Sequence, residues 1–361
     1  MTTHNASYTT FYSGAGAIAI RRQVIQLAQV AIWYLLTRHR PRGVPDIFMF
    51  GSRRSGTNLI MEVLAASRGV KYCNQPFSLA TATDHAKQFL LEFNRGMVLL
   101  LKPDEQEAFS AYVEAIIRGD LRINGSWRFW EPQFKFKSDR IVFKITNAPC
   151  IASFVFEKYL SEIILLFRHP IAQSLSVMHN KWEHNCRFFL SDKDFIESFL
   201  TSKMENAAND ILKSNSLLQN HVLGWCLENL ALIRQFHQYP EWWIVTYEHF
   251  VLNRSAVIVD WARAFGLLGL ESMRRAASLP SKTAKLSAAE SRRAIKSQDQ
   301  EGMLGRWRTR IDADEERRLL GVLDVFEIDL YRSGETMPTL AYRPGRPGPV
   351  ASAVRTAEAP R

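Results

Sequence analysis

The sequence has little cysteine, no acid near its N-terminus, no paired metal-ligand motif and no long apolar run. Its four cysteines (Cys73, Cys150, Cys186 and Cys226) are too few and too scattered for a disulfide framework. None of them forms a C-x-x-C pair, so a structural zinc site is not expected. A reducing compartment is the default, and a cytoplasmic protein is expected. The longest uncharged apolar stretch near the N-terminus, 23–37, contains three Gln. It falls short of the roughly 20 residues that a membrane-spanning helix needs. No small-residue cleavage site follows it, as it would after a secretory signal; Arg-His-Arg-Pro-Arg comes instead. With 9 Trp, 22 Phe and 47% apolar residues in 361, the chain is far too rich for disorder and long enough for a sizeable core.

The formal charge is 46 − 36 = +10. Such a balance invites nucleic acid, an anionic membrane surface or a phosphate-rich ligand as partner. The charge is unevenly placed. Residues 1–45 carry five Arg and no acid, and 338–361 carry four Arg against Glu358. The middle, 46–337, is therefore almost neutral, and a specific nucleic-acid partner is not expected. The chain thus divides into an N-terminal amphipathic helix and basic stretch (1–45), an α/β domain (46–337) and a disordered Pro/Gly/Arg tail (338–361). Within the first, Val24, Ile25, Leu27, Ala28, Ile32 and Leu35 dominate a helix over 17–36. Three readings of it stay open: a helix packed on its own domain or a partner, an interfacial membrane helix with Arg flanks meeting anionic lipid, and a marginal anchor.

Apolar runs at 47–50, 141–145, 163–167 and 243–246 read as buried strands. Helical periodicity marks 59–66, 105–117, 151–159, 171–180, 217–236, 256–265 and 315–327. Continuously apolar strands alternating with helices predict one α/β domain, a central parallel sheet flanked by helices.

The first of these strands runs into Gly51-Ser52-Arg53-Arg54-Ser55-Gly56-Thr57-Asn58, then into a helix. The two glycines have the spacing of a phosphate loop, which turns backbone N–H groups and a helix N-terminus toward an anion. The Lys-Ser/Thr pair of the nucleotide hydrolases is absent after Gly56, and the cations sit inside the loop instead. NTP hydrolysis with magnesium is therefore disfavoured. Another strand ends in Arg168-His169-Pro170 and leads to a helix bearing Ser174, Ser176 and His179. An arginine at the carboxyl end of a parallel strand lies where ligands bind, and its fork suits a phosphate. His179 reads as a packing histidine. Between 126 and 138, Trp127, Phe129, Trp130, Phe134 and Phe136 alternate with Arg128, Lys135 and Lys137. That mixture suits sugar rings or lipid headgroups, or an irregular loop with partly buried aromatics.

These motifs together resemble the sulfotransferase family, whose donor is 3′-phosphoadenosine 5′-phosphosulfate (PAPS). The family's 5′-phosphosulfate loop is similar to 51–59, with Arg54 at its basic position. Its 3′-phosphate element resembles Arg168 with Ser176. A strand end resembles Thr246-Tyr247-Glu248, and a late Gly-x-Trp loop resembles Gly305-Arg306-Trp307. The resemblance implies a P-loop NTPase-like fold with the phosphate loop after the first strand. It implies transfer of a sulfuryl group to a hydroxyl or amine of a glycan, glycolipid or small molecule, with no metal. Arg53, Arg54, Ser55, Gly56, Thr57, Asn58, Arg168, Ser176, Tyr247 and Arg306 would hold the donor. Arg54 and Lys144 would stabilise developing charge. The family's base is a His in one branch and a Glu in another; Asn147 and Gln75 stand near those places here. Glu131 and His85 are substitutes by residue type, Glu131 being the preferred one. The competing readings are a donor-binding scaffold without chemistry and a phosphate-loop kinase.

Overall fold

The computed structural model describes residues 9–79, 100–214, 216–339 and 344–345, with backbone alone for 9–19 and 22. His85 and most of the expected tail lie outside the described residues. The strands are β1 (Arg38–His39), β2 (Ile47–Phe50), β3 (Val70–Asn74), β4 (Lys137–Ser138), β5 (Arg140–Ile145), β6 (Glu162–Phe167) and β7 (Trp243–Thr246). Five of them form one parallel sheet in the order β3-β5-β2-β6-β7. The fold class is thus the expected α/β one, with the sheet's first strand, β2, at its centre.

Side-chain alternation divides the core in two. On one face Phe48, Phe143, Ile145, Leu165 and Phe167 pack with α3 (Gln106–Arg118), α4 (Ala152–Tyr159), α6 (Leu217–Phe236) and α9 (Ala313–Val325). On the other, Ile47, Met49, Val142, Ile164 and Leu166 pack with α2 (Thr57–Ala65), α7 (Tyr247–Phe265) and α8 (Leu270–Ser278). Strands covered on both sides have no solvent face, which is why they read as unbroken apolar runs. The Phe48 and Phe143 rings stack across β2 and β5 with centroids 4.2 Å apart. Two more helices flank these strands in the chain: α1 (Thr9–Leu36) just before β1, and α5 (Pro170–His179) just after β6.

Two differences from the sequence reading have physical causes. Strand β3 has no apolar run: Val-Lys-Tyr-Cys-Asn occupies a sheet edge, where one side of the strand needs no apolar cover. Helix α7 starts at Tyr247, nine positions before the expected start, because the Thr246 hydroxyl accepts from the His249 N–H at 3.2 Å and caps the first turn. Tyr247 is therefore the first residue of a helix rather than the end of a strand.

The chain passes from β2 to β3 on one side of the sheet, returns through β5, then crosses to β6 on the other side. The carboxyl end of β2 lies at this switch between β5 and β6, where neighbouring connections diverge and leave a crevice.

Candidate functional site

A cleft of about 660 Å³ opens at that point, lined by the loop after β2 and the ends of β5, β6 and β7. The loop needs its glycines. A Cβ at Gly51 would lie 2.6 Å from the Leu166 carbonyl oxygen, so only glycine passes so close to β6. Gly56, at φ +95°, would drive a Cβ to 2.6 Å from the Tyr247 ring. Arg54 is also left-handed, at φ 66°. Inside the loop, the Ser52 and Ser55 hydroxyls share a hydrogen bond at 2.6 Å, and Ser55 is fully buried. Ser55 thus shapes the loop from within. Gly56 caps α2 without a side chain, so the first-turn N–H groups have no side-chain acceptor there. Such a terminus attracts anions through its N–H groups and helix dipole.

The two loop arginines diverge. Arg54 reaches the cleft: its Nε donates to the Ser176 hydroxyl on α5 at 3.0 Å, and one terminal nitrogen donates to the Ser287 hydroxyl at 2.9 Å. Burial, and then the neighbouring Arg168 charge, push its pKa down to about 10, while Tyr247 opposes them. Arg53 turns the other way. It donates to the Glu183 carbonyl at 2.9 Å and lies 3.8 Å from the Glu228 carboxylate, which is buried on α6. It remains at the cleft wall, its terminal nitrogen tied to protein acceptors while its Nε is buried without a partner among the described residues.

Arg168 leaves β6 and donates to the main-chain carbonyl of Arg54 at 2.8 Å. Its guanidinium lies over the Tyr247 ring, 4.5 Å from the centroid. That ring therefore fills the space between Gly56 and Arg168. The turn after Arg168 is fixed by buried partners. Trp225 Nε1 donates to the Arg168 carbonyl, and the His169 N–H donates to the Glu248 carboxylate, which also accepts from the Tyr331 hydroxyl. His169 itself stacks on Trp307 at 4.2 Å, and burial pushes its pKa down to about 3. The late Gly-x-Trp element thus packs under the Arg168 turn, and Arg306 lines the cleft.

Arg168 Nε, Arg254 Nε and Arg306 Nη1 are buried donors with no partner among the described residues. Arg168, Arg254 and Arg306 all border the cleft. Burying donors without acceptors is costly, so their convergence fits a ligand with more than one anionic group. Ser176, Thr57 and Asn58 add neutral donors to the same wall. Among the described residues there is no cluster of three or more metal-ligating side chains.

Across the cleft, Lys144, the penultimate residue of β5, lies on the α2 face of the sheet. It donates to Asn74 Oδ1 at 2.9 Å, and burial lowers its pKa to about 8 against the attraction of Glu62. Beside it, the Gln75 amide donates to the Thr146 hydroxyl at 2.7 Å, and the Asn147 amide donates to the Phe77 carbonyl. Glu131 lies outside the residues lining the cleft. It accepts from Lys282 Nζ at 2.6 Å and from the Ser126 hydroxyl at 2.7 Å. Burial raises its pKa, but those two donors and the Lys282 charge outweigh it and hold the carboxylate lower than usual. His179 is exposed at the cleft rim, not packed in the core; the buried residue of this last turn of α5 is Val177. His184, also at the wall, was not visible in the sequence as a site residue.

One element had no sequence signal at all. Residues 279–288 form a strap along the cleft. Thr283 accepts from Asn58 Nδ2 through its hydroxyl at 2.8 Å, and Ser287 meets Arg54 as above. The strap is fastened from behind by the Lys282 N–H, which donates to Glu62 at 3.0 Å. Isolated Ser and Thr in a polar stretch look like any loop, and only the fold brings them to the phosphate loop.

No family model matches the chain, and no curated protein does. Among solved structures, the sulfotransferase domain of the Synechococcus PCC 7002 olefin synthase is 16% identical, with 81% of this chain and 98% of that chain covered and a TM-score of 0.39. Mouse sulfotransferase SULT7A1, complexed with PAP, is 13% identical over 90% of this chain and 93% of its own, with a TM-score of 0.37. Retinol dehydratase in complex with retinol and PAP is 16% identical over 84% and 86%, with a TM-score of 0.35. Likenesses this distant carry no weight for function; the residues of the cleft do.

Proposed function

We propose that the chain is a sulfotransferase that takes PAPS as donor and transfers its sulfuryl group to a hydroxyl or amine of a glycan, glycolipid or small molecule. The observation that carries this reading is the joining of Arg54, Arg168 and Ser176 into one cluster at the N-terminus of α2. That cluster, with the unpartnered donors of Arg254 and Arg306, suits a nucleotide with separate 5′ and 3′ anionic groups. The absence of a lysine after Gly56 argues against a magnesium-nucleotide kinase.

The donor would supply an activated sulfuryl group, and as that group passes to the acceptor, negative charge would build on the bridging oxygen of the departing adenosine 3′,5′-bisphosphate. The chain's own residues supply the rest. First-turn N–H groups of α2 and the Arg54 guanidinium stabilise that charge in a prearranged site. Arg168 and Ser176 hold the second phosphate. Lys144, cationic at neutral pH, faces the same cleft from the β5 side and steadies the transferred group. Calorimetric titration with adenosine 3′,5′-bisphosphate tests the donor assignment, and ATP with magnesium is the control; tighter binding of ATP would overturn it. Radiolabelled transfer to hydroxylated acceptors tests the reaction.

A second reading, a donor-binding protein with weak or no chemistry, is favoured by one observation. The positions nearest the family's bases are neutral amides already engaged within the protein, Gln75 on Thr146 and Asn147 on Phe77. Donor binding without turnover on any acceptor would select this reading.

A further inference from the structure

Two exposed apolar features meet beside β1. On α1, Ile20, Val24, Leu27, Ala31, Tyr34 and Leu35 recur at i, i+4, i+7, i+11, i+14 and i+15, one face of a helix. All are exposed, Leu27 at 70% and Leu35 at 79%. Gln26 and Gln29 fall on the opposite side. The second feature is the aromatic loop 127–137. Phe129, Trp130 and Phe136 are exposed at 57%, 64% and 56%, with Arg128 and Lys137 exposed between them. The rest of that cluster turns inward: Phe134 is buried, and Trp127 is half-buried under Arg128.

The fold fastens the two together. Directly after α1, β1 pairs in parallel with β4, Arg38 opposite Lys137. The Arg38 N–H donates to the Phe136 carbonyl, and the Arg40 N–H to the Ser138 carbonyl, both at 2.8 Å. The C-terminal turn of α1 and the Phe136 end of the loop are therefore held side by side, with the exposed Arg38, Arg40 and Lys137 next to them. Exposed apolar area of this kind marks an interaction site.

The charge pattern selects the occupant. The exposed apolar stripe, 20–35, is flanked by cations at both ends, Arg21 and Arg22 within the helix at one and Arg38 and Arg40 just after the helix at the other, and the first 45 residues hold no acid. Pairing with a second copy stacks like charges whether the helices run parallel or antiparallel. The 4-3-4-3 seam also lasts only about two heptads, short of the three or four a coiled coil needs. An anionic bilayer presents complementary charge to both ends and an apolar layer to the stripe between. Trp and Phe suit the same boundary. Among the described residues no helix is long and apolar enough to cross a membrane, so α1 would lie along the surface.

We propose that α1 and the 127–137 loop form a single docking surface for an anionic lipid bilayer. This inference is independent of the reaction proposed above. The test is flotation of the full chain with vesicles of phosphatidylcholine alone and with added phosphatidylserine. The expected result is partitioning that requires phosphatidylserine and weakens with salt. Leu27→Asp with Leu35→Asp should reduce it roughly a hundredfold, and Phe129→Ala with Trp130→Ala roughly tenfold. All four residues are exposed, so the melting temperature should not move. Three outcomes would overturn the proposal: no flotation with either vesicle, flotation indifferent to phosphatidylserine, or a dimer in sedimentation velocity that the Leu27 and Leu35 substitutions dissociate.

Discussion

The Arg168 guanidinium donates to the main-chain carbonyl of Arg54 at 2.8 Å, which ties the end of β6 to the loop after β2. Two cations are thereby held beside each other, one by its backbone and one by its side chain. Their mutual repulsion is part of what lowers the pKa of Arg54. An anion between them relieves that repulsion.

Replacing either arginine therefore costs more than one hydrogen bond. Arg54→Ala and Arg168→Ala should each weaken binding of adenosine 3′,5′-bisphosphate by about 1.5–3 kcal/mol, or roughly ten- to a hundredfold. Calorimetric titration reads this directly. Unchanged affinity in both variants would remove the donor assignment.

Gly56→Ala should be among the most damaging small substitutions. It combines φ +95° with a 2.6 Å approach to the Tyr247 ring. The strain alone is about 1–3 kcal/mol. Gly266, at φ +63°, has nothing within 4 Å of an added Cβ. Gly266→Ala should thus cost about 1 kcal/mol. Thermal melts of the two variants should separate them, and only Gly56→Ala should also abolish nucleotide binding.

Lys144 makes a pH prediction. Its burial favours the neutral amine, with a folded-state pKa of about 8 against the ordinary 10.5. Below about 8 the lysine is charged in both states, and the burial penalty is fully present. Between about 8 and 10.5 the unfolded chain binds more protons, so this group's contribution to stability rises with pH. Activity should move oppositely. A neutral amine steadies no anion, so kcat/KM should fall above about pH 8. Lys144→Arg should flatten that limb of the profile; an unchanged limb would assign it to another group.

Glu131→Gln should spare the reaction. A general base contributes about 10²–10⁴-fold, whereas Glu131 is engaged by Lys282 and Ser126 outside the cleft. Turnover within a few-fold of the parent is expected in a transfer assay. A loss of a hundredfold or more would restore Glu131 as the base.

The range of each interaction decides how much of it shows in the sequence. The central strands were legible because burial on both faces leaves no position for a polar residue. Arg54, Arg168 and Ser176 were legible because each sits close to a local boundary, between strand and loop or within two turns of a helix start. Strand β3 was not, since an edge needs no apolar pattern. The divergence of Arg53 was also hidden: its direction is set by Glu183 and Glu228, more than a hundred positions away. Ser287 and Thr283 carried no mark of their own for the same reason.

Those last two residues change what recognition at this loop means. Arg54 and Asn58 already have partners on the strap, so a ligand reaching them competes with hydroxyl groups for part of their donors. Binding there is an exchange, and its net yield is the difference between two sets of hydrogen bonds. A single small anion repays little of that loss. A ligand that engages Arg54 and Arg168 through separate charged groups repays it twice over. The strap thus sets a threshold that discriminates by the number of charges a ligand brings.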